Sequence, residues 1–108
     1  MFGLFGLGTK NYEELRGAEF KAKYKTTPGA VLIDVRTQGE FRSGSIPGAR
    51  NIDIMSANFA QQISTLDKNK EYFLFCRSGN RSGQACNMMA KQGFKVHNLA
   101  GGVSDWPV

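Results

Sequence analysis

The strongest constraint on the fold is a pair of short apolar runs at residues 31–35 and 72–76. Each run has the length of a strand, and a continuous apolar run is typical of a strand buried on both faces in a parallel sheet. Residues 94–99 predict a third strand, and helical patterns separate the three. Strands that alternate with helices predict an α/β fold, with a small, mostly parallel sheet flanked by helices on both faces.

Capping and turn residues predict where several helices begin and end. Asn11 together with Glu14 predicts the start of a helix that ends before the turn at residues 26–29. Ser56 predicts the start of a second helix, and Gly93 predicts the end of a third. In such a fold, ligand sites form at the carboxyl ends of the parallel strands, so the loops that follow the strands are the places to search.

The length of the chain, 108 residues, fits one domain. We assign residues 1–10 to an apolar, Gly-rich N-terminal tail and residues 11–108 to the domain. The tail lacks the basic start and the cleavage site of a signal peptide, and it is too short to span a membrane. The tail therefore does not predict action at a membrane, and we expect the domain to be a monomer.

The charge of the chain narrows the class of partner. The net charge of +5 is interpreted first as a solvated surface that keeps the protein dispersed, with attraction of anionic partners as the alternative. The basic residues form no long run and do not alternate with aromatic residues, so the sequence does not predict binding to nucleic acid. A small anionic substrate fits this pattern better than a polyanion does.

The two cysteines, Cys76 and Cys86, are too few for a disulfide framework. With a single histidine and no Cys-x-x-Cys spacing, they do not predict a metal site, and we expect no cofactor. A chain of this kind fits a reducing, cytoplasmic setting.

Cys76 ends a predicted strand and is followed at once by a polar loop and then by a helix. Backbone N–H groups of a short loop can turn inward and form an anion-binding concavity, and the helix N-terminus adds a positive dipole. Arg77 and Arg81 add full positive charges nearby. These surroundings favour a thiolate whose pKa lies below the usual value of about 8.5, and so they predict a nucleophile.

The length of this loop indicates the substrate class. Four residues separate Cys76 from Arg81. Phosphatases with a thiolate nucleophile have one residue more, because their loop must enclose a tetrahedral phosphate. A shorter loop forms a tighter cup that suits one extra sulfur atom on the thiolate, where inward N–H groups stabilise a persulfide anion.

The motifs, in this order and spacing, resemble those of the rhodanese family along nearly the whole chain. The matching segments are residues 33–36, 40–41, 44–51, 76–82 and 99–102, followed by Trp106.

The resemblance implies a rhodanese fold, an active loop over residues 76–81 and a persulfide on Cys76. The activity that it implies is transfer of a sulfane sulfur from a donor such as thiosulfate to cyanide, a cellular thiol or a sulfur-relay protein. We interpret the loop as the binding site of the anionic donor, with Arg77 and Arg81 guiding the donor and holding the loop. The loop residues after the cysteine are Arg77, Ser78, Gly79, Asn80 and Arg81, and the supporting residues are Asp34, Arg36 and Ser82.

One position departs from the family pattern, in which a histidine usually precedes Ile-Pro-Gly-Ala. Ser45 stands there in this chain. We interpret that histidine as structural, so the change is expected to alter local packing rather than the chemistry. Asp34 and Arg36 are interpreted as a structural ion-pair network that supports the active side of the sheet.

The remaining reactive or titratable residues carry weaker predictions. Cys86 is interpreted as an inert core thiol, with a resolving cysteine for Cys76 as the alternative. Glu40 is interpreted as a surface or supporting residue. His97 is interpreted as a surface or structural histidine rather than a catalytic one, and Trp106 as a packing anchor.

Three alternatives to a thiosulfate sulfurtransferase stay open. The first is a cysteine-based phosphatase or arsenate reductase, which the short loop disfavours. The second is a persulfide relay that passes sulfur to a partner protein and turns over thiosulfate poorly. The third is a binding module, which the intact cysteine and loop disfavour.

Overall fold

The computed structural model describes residues 11–107, so the tail assigned to residues 1–10 lies outside the described residues. One five-stranded sheet has the order β1-β5-β4-β2-β3, and each neighbouring pair is parallel. The strands are β1 (Glu13–Leu15), β2 (Val31–Asp34), β3 (Arg50–Asn51), β4 (Glu71–Phe75) and β5 (Lys95–Leu99). The helices are α1 (Gly17–Thr26), α2 (Gln38–Arg42), α3 (Phe59–Ser64) and α4 (Asn80–Lys91), with a 3₁₀ turn at Val103–Asp105.

Helices cover both faces of the sheet, because the central strands are apolar on both sides. On β4, Tyr72 and Leu74 face the core formed with α3 and α4. Phe73 and Phe75 face the opposite core, where Phe20 of α1 packs edge-on against Phe73 with ring centroids 5.5 Å apart. Full burial of such a side chain stabilises the fold by about 1.5–3 kcal/mol. The predicted α/β architecture is therefore confirmed.

The first helix differs from the prediction. Residues Glu13–Leu15 form strand β1, which pairs with β5 in the register Leu15↔Leu99, and the helix begins only at Gly17. Gly17 donates its N–H to the Asp105 carboxylate at 2.8 Å, and a Cβ there would lie 1.7 Å from the Asp105 carbonyl oxygen. Contacts with the distant C-terminal turn therefore determine where α1 starts, which the local capping pattern at Asn11 cannot report.

The starts of α2 and α3 also differ from the prediction. Helix α2 was not predicted, although Thr37 and Glu40 form a capping box at its N-terminus. Helix α3 begins at Phe59 rather than directly after Ser56. The predicted end of α4 is confirmed, because Gly93 has φ +92° and donates its N–H to the helix.

Candidate active site

Cys76 directly follows β4 at the carboxyl edge of the sheet and is fully buried. Its carbonyl accepts a hydrogen bond from the Val103 N–H at 2.9 Å. Its sulfur accepts hydrogen bonds from the Gly79 N–H at 3.1 Å, the Ser82 N–H at 3.3 Å and the Ser82 hydroxyl at 3.3 Å. The loop and the first turn of α4 thus form a ring of donors around one sulfur atom.

The balance between burial and these donors sets the pKa of Cys76. Burial raises the pKa, because it disfavours the charged thiolate. The hydrogen bonds from the Ser82 side chain and backbone, and from the backbones of Ser78 and Gly79, outweigh burial, so the net pKa lies below its ordinary value. The hydroxyl of Ser82 contributes the largest lowering effect, whereas the sequence led us to expect backbone N–H groups, the helix dipole and arginines.

The loop is held in shape from behind by the turn that follows β5. Gly79 has φ +92°, and a Cβ there would lie 2.2 Å from the Ala100 carbonyl oxygen. Asn98 is buried, and its side-chain amide donates to the Gly79 carbonyl at 3.1 Å. Gly102 packs so closely that a Cβ would lie 1.9 Å from the Arg77 carbonyl oxygen. The sequence did not indicate a role for Asn98, although the neighbouring residues 99–102 match a motif of the rhodanese family.

The two loop arginines have different surroundings. Arg81 forms a two-pronged ion pair with Glu40, with Nη1–Oε1 at 2.8 Å and Nη2–Oε2 at 3.1 Å. Arg77 is exposed, and its Nε lies 3.8 Å from the same carboxylate. Arg81 therefore braces the loop against α2, while Arg77 points its charge toward solvent.

A second polar network lies beside the loop at the end of β2. The Asp34 carboxylate accepts from Arg36 Nε at 3.0 and 3.1 Å and from Nη2 at 2.8 Å. Ser45, which stands where the family pattern has histidine, donates its hydroxyl to Asp34 at 2.8 Å. Arg36 also donates to the Gly44 carbonyl at 2.7 Å, so this network joins β2 to the loop after α2.

The structure places the other predicted loop residues at the surface. Ser78 and Asn80 are exposed, and Asn80 is the first residue of α4. Their side chains have no described contact with the sulfur, although the Ser78 backbone lowers the pKa of Cys76.

Cys86 and His97 both lie in buried surroundings. Burial raises the pKa of Cys86 well above its ordinary value, and its side chain packs in the core between α4 and the sheet. His97 stacks on Phe73 with ring centroids 4.4 Å apart, and its ring nitrogens lie 2.6 Å from Glu13 and 2.8 Å from Glu71. Neither residue shares the ring of donors around Cys76.

Fold and site together define a class of protein. It is an α/β domain in which a cysteine at the carboxyl end of a central parallel strand accepts hydrogen bonds from a short loop and from the first turn of a helix, and these hydrogen bonds lower its pKa. Surroundings of this kind are typical of cysteines that act as nucleophiles.

Comparison with known proteins narrows this class. The Rhodanese-like domain family profile matches residues 17–107. The putative sulfurtransferase YtwF of Bacillus subtilis is 39% identical over 94 residues, covering 87% of this chain and 89% of YtwF. The thiosulfate sulfurtransferase GlpE of Pseudomonas fluorescens is 35% identical over 79 residues, covering 72% of this chain and 71% of GlpE. The crystal structure of SSP1007 from Staphylococcus saprophyticus has a TM-score of 0.76 and 27% identity, covering 88% of this chain and 93% of that one.

The chain belongs to the rhodanese-like domain family, and its fold is the rhodanese fold. It is a sulfurtransferase of the rhodanese type. The family and the fold predicted from the resemblance are both confirmed. Among residues 11–107, no helix combines the length and the apolar character needed to cross a membrane.

Proposed function

We propose that the chain moves a sulfane sulfur from thiosulfate to a thiophilic acceptor, cyanide or a cellular thiol, through a persulfide on Cys76. The observation that carries this proposal is the ring of N–H and O–H donors around the Cys76 sulfur. Hydrogen bonds to an anion stabilise it, so the same donors favour both the attacking thiolate and the persulfide anion that replaces it. Cys86 lacks these donors, and burial raises its pKa.

In the first half-reaction, the Cys76 thiolate attacks the terminal sulfur of thiosulfate. The S–S bond of thiosulfate breaks, sulfite leaves with the electron pair, and a persulfide anion forms on Cys76. In the second half-reaction, cyanide attacks the outer sulfur, thiocyanate leaves, and the Cys76 thiolate is restored. Charge balances in both steps, and neither step needs a proton or a cofactor.

Arg77 is the proposed guide for the anionic donor. Its side chain is 75% exposed, whereas Arg81 and Arg36 are engaged by Glu40 and Asp34. A guanidinium that faces solvent at the loop can attract the sulfite end of thiosulfate and leave its terminal sulfur free to reach Cys76. The proposal includes a reducing, cytoplasmic setting, which two free thiols support.

Intact-protein mass spectrometry after mixing with thiosulfate tests the proposal, because it needs no acceptor. We expect a gain of one sulfur atom that maps to Cys76 and disappears when cyanide is added. Cys76→Ser should abolish the gain, because a hydroxyl cannot form a persulfide, and the matched Cys86→Ser should keep it.

Three outcomes would favour other functions or another site. A sulfur gain on Cys86 instead of Cys76 would overturn the site assignment. Hydrolysis of an aryl phosphate with no sulfur gain would overturn the sulfurtransferase chemistry. Sulfur loading from a persulfidated protein, but not from thiosulfate, would replace thiosulfate by a relay partner as the donor.

A further inference from the structure

The Glu40 carboxylate accepts bidentate hydrogen bonds from the guanidinium group of Arg81. The contacts are Nη1–Oε1 at 2.8 Å and Nη2–Oε2 at 3.1 Å, and both side chains are partly buried, 26% exposed for Glu40 and 28% for Arg81. This geometry uses the two parallel N–H groups with which an arginine fork binds a carboxylate or a phosphate. The fork of Arg81 is therefore occupied in the folded protein.

Arg81 is the loop residue that an oxyanion would need. It ends the loop that starts at Cys76, and its charge interacts with the Cys76 thiolate. A tetrahedral oxyanion that places its central atom at the sulfur is bound most strongly when an arginine fork meets two of its outer oxygens. With the fork taken, a phosphate in the loop would have to displace Glu40 first.

The position of Glu40 is itself fixed. Glu40 is residue N3 of α2, where its N–H donates to the Thr37 hydroxyl at 3.2 Å and its carboxylate accepts from the Thr37 N–H at 3.2 Å. The Arg81 hydrogen bonds and the Thr37 N–H lower the pKa of Glu40 to about 2, so its carboxylate is charged at neutral pH. The capping box thus holds a permanent negative charge against the end of the loop.

We propose that Glu40 is a specificity-determining residue, which excludes tetrahedral oxyanions from the Cys76 loop by occupying the guanidinium fork of Arg81. This inference rests on the proposed function, because it concerns the selectivity of the same site. A sulfur donor escapes the exclusion, since only its terminal sulfur enters the loop while Arg77 meets its anionic end outside. Loop length and Glu40 then act in the same direction against phosphate.

The test measures how inorganic phosphate protects Cys76 from alkylation by iodoacetamide at constant ionic strength and neutral pH. Glu40→Gln removes the charge but retains a residue that suits the N3 position of a capping box. We expect phosphate to protect the Glu40→Gln variant at a concentration about tenfold lower than the wild type requires, because a bidentate, charge-assisted contact becomes available. In the double variant Glu40→Gln/Arg81→Gln, this gain should disappear.

Thr37→Ala is the matched control, because it breaks the capping box and leaves the Glu40 carboxylate in place. We expect it to behave like the wild type toward phosphate. Equal protection of Glu40→Gln and wild type would overturn the proposal. So would a Thr37→Ala variant that gains as much as Glu40→Gln, because the position of α2 rather than the charge would then control access.

A second pair of variants covers a folding failure of Glu40→Gln. Glu40→Ala and Thr37→Ala lose the same capping box, so a difference between them in phosphate protection reports the loss of the Glu40 side chain from Arg81 rather than the loss of the cap. The assay does not depend on sulfur transfer. A wild type that gains no sulfur from thiosulfate would therefore count against the proposed function, while the phosphate protection would still decide the role of Glu40.

Discussion

Ser82→Ala should raise the pKa of Cys76 more than any loop substitution that leaves the backbone donors in place. The hydroxyl of Ser82 donates to the sulfur at 3.3 Å, and the residue is fully buried. The change removes this donor and little volume, and it keeps the N–H donors of Ser82 and Gly79. Burial of Cys76, which opposes ionisation, is unchanged, so the pKa of the thiol should rise.

The size of the effect follows from the type of bond that is lost. A hydrogen bond to a charged group contributes about 1.5–3 kcal/mol net. The Ser82 hydroxyl shares the sulfur with two backbone donors, so we take the low end of this range. About 1.4 kcal/mol corresponds to tenfold in an equilibrium constant. Ser82→Ala should therefore lower the thiolate fraction roughly tenfold at a pH well below the titration midpoint.

The assay is the pH dependence of Cys76 alkylation by iodoacetamide, measured in a Cys86→Ser background. The plateau rate at high pH depends on how easily the reagent reaches the buried sulfur, whereas the midpoint reports the ionisation. Ser78→Ala is the matched control, because Ser78 is an exposed serine of the same loop that acts on the sulfur through its backbone. Its midpoint should stay at the wild-type value.

An unchanged midpoint in Ser82→Ala, with a changed plateau, would refute the reasoning. It would mean that the hydroxyl controls access to the sulfur and that the N–H groups and the helix N-terminus alone set its ionisation. A midpoint that shifts equally in Ser78→Ala would refute it as well, because the loop conformation would then be the cause.

Three further predictions concern stability and reactivity. Gly93→Ala should lower the free energy of unfolding in urea by about 1–2 kcal/mol, because Gly93 has φ +92°. Gly79→Ala should lower it clearly more. Gly79 has the same φ, but its Cβ would also meet the Ala100 carbonyl oxygen. Equal losses would contradict the close approach. Cys86 should alkylate only when the protein unfolds, since burial raises its pKa; labelling followed by peptide mapping checks this. The pKa of Glu40 is lowered from 4.5 to about 2, so its charged side chain stabilises the folded protein fully above pH 4.5 and no longer near pH 2. The difference in unfolding free energy between wild type and Glu40→Gln should therefore shrink as pH falls over this range. Urea unfolding of both proteins at several pH values measures it.

The central strands and the position of Cys76 could be predicted because their signals are local. Strands buried on both faces need apolar residues at successive positions, and Tyr72 to Phe75 show this directly. Cys76 follows such a run and precedes a polar loop, so the sequence alone places it at the carboxyl edge of the sheet.

The contacts that complete the site could not be predicted, because they join distant parts of the chain. Arg81 and Glu40 are 41 residues apart, and nothing in either local sequence indicates the pair. The same holds for β1, which overlaps the helix-start pattern of Asn11 and Glu14 but forms a strand through pairing with β5. The hydroxyl of Ser82 points at the sulfur only because α4 starts where the loop brings it back to Cys76.

The turn that supports the Cys76 loop is synthesised after the loop itself. The loop begins at Cys76, but its shape depends on the Asn98 amide, the Ala100 carbonyl and the Val103 N–H. Protein chains emerge from the ribosome N-terminal end first, and domains fold as units. A nascent chain that has not yet released Val103 carries Cys76 without the hydrogen bonds from this turn. The loop around Cys76 can therefore take its final shape only after the last strand and its turn have been synthesised.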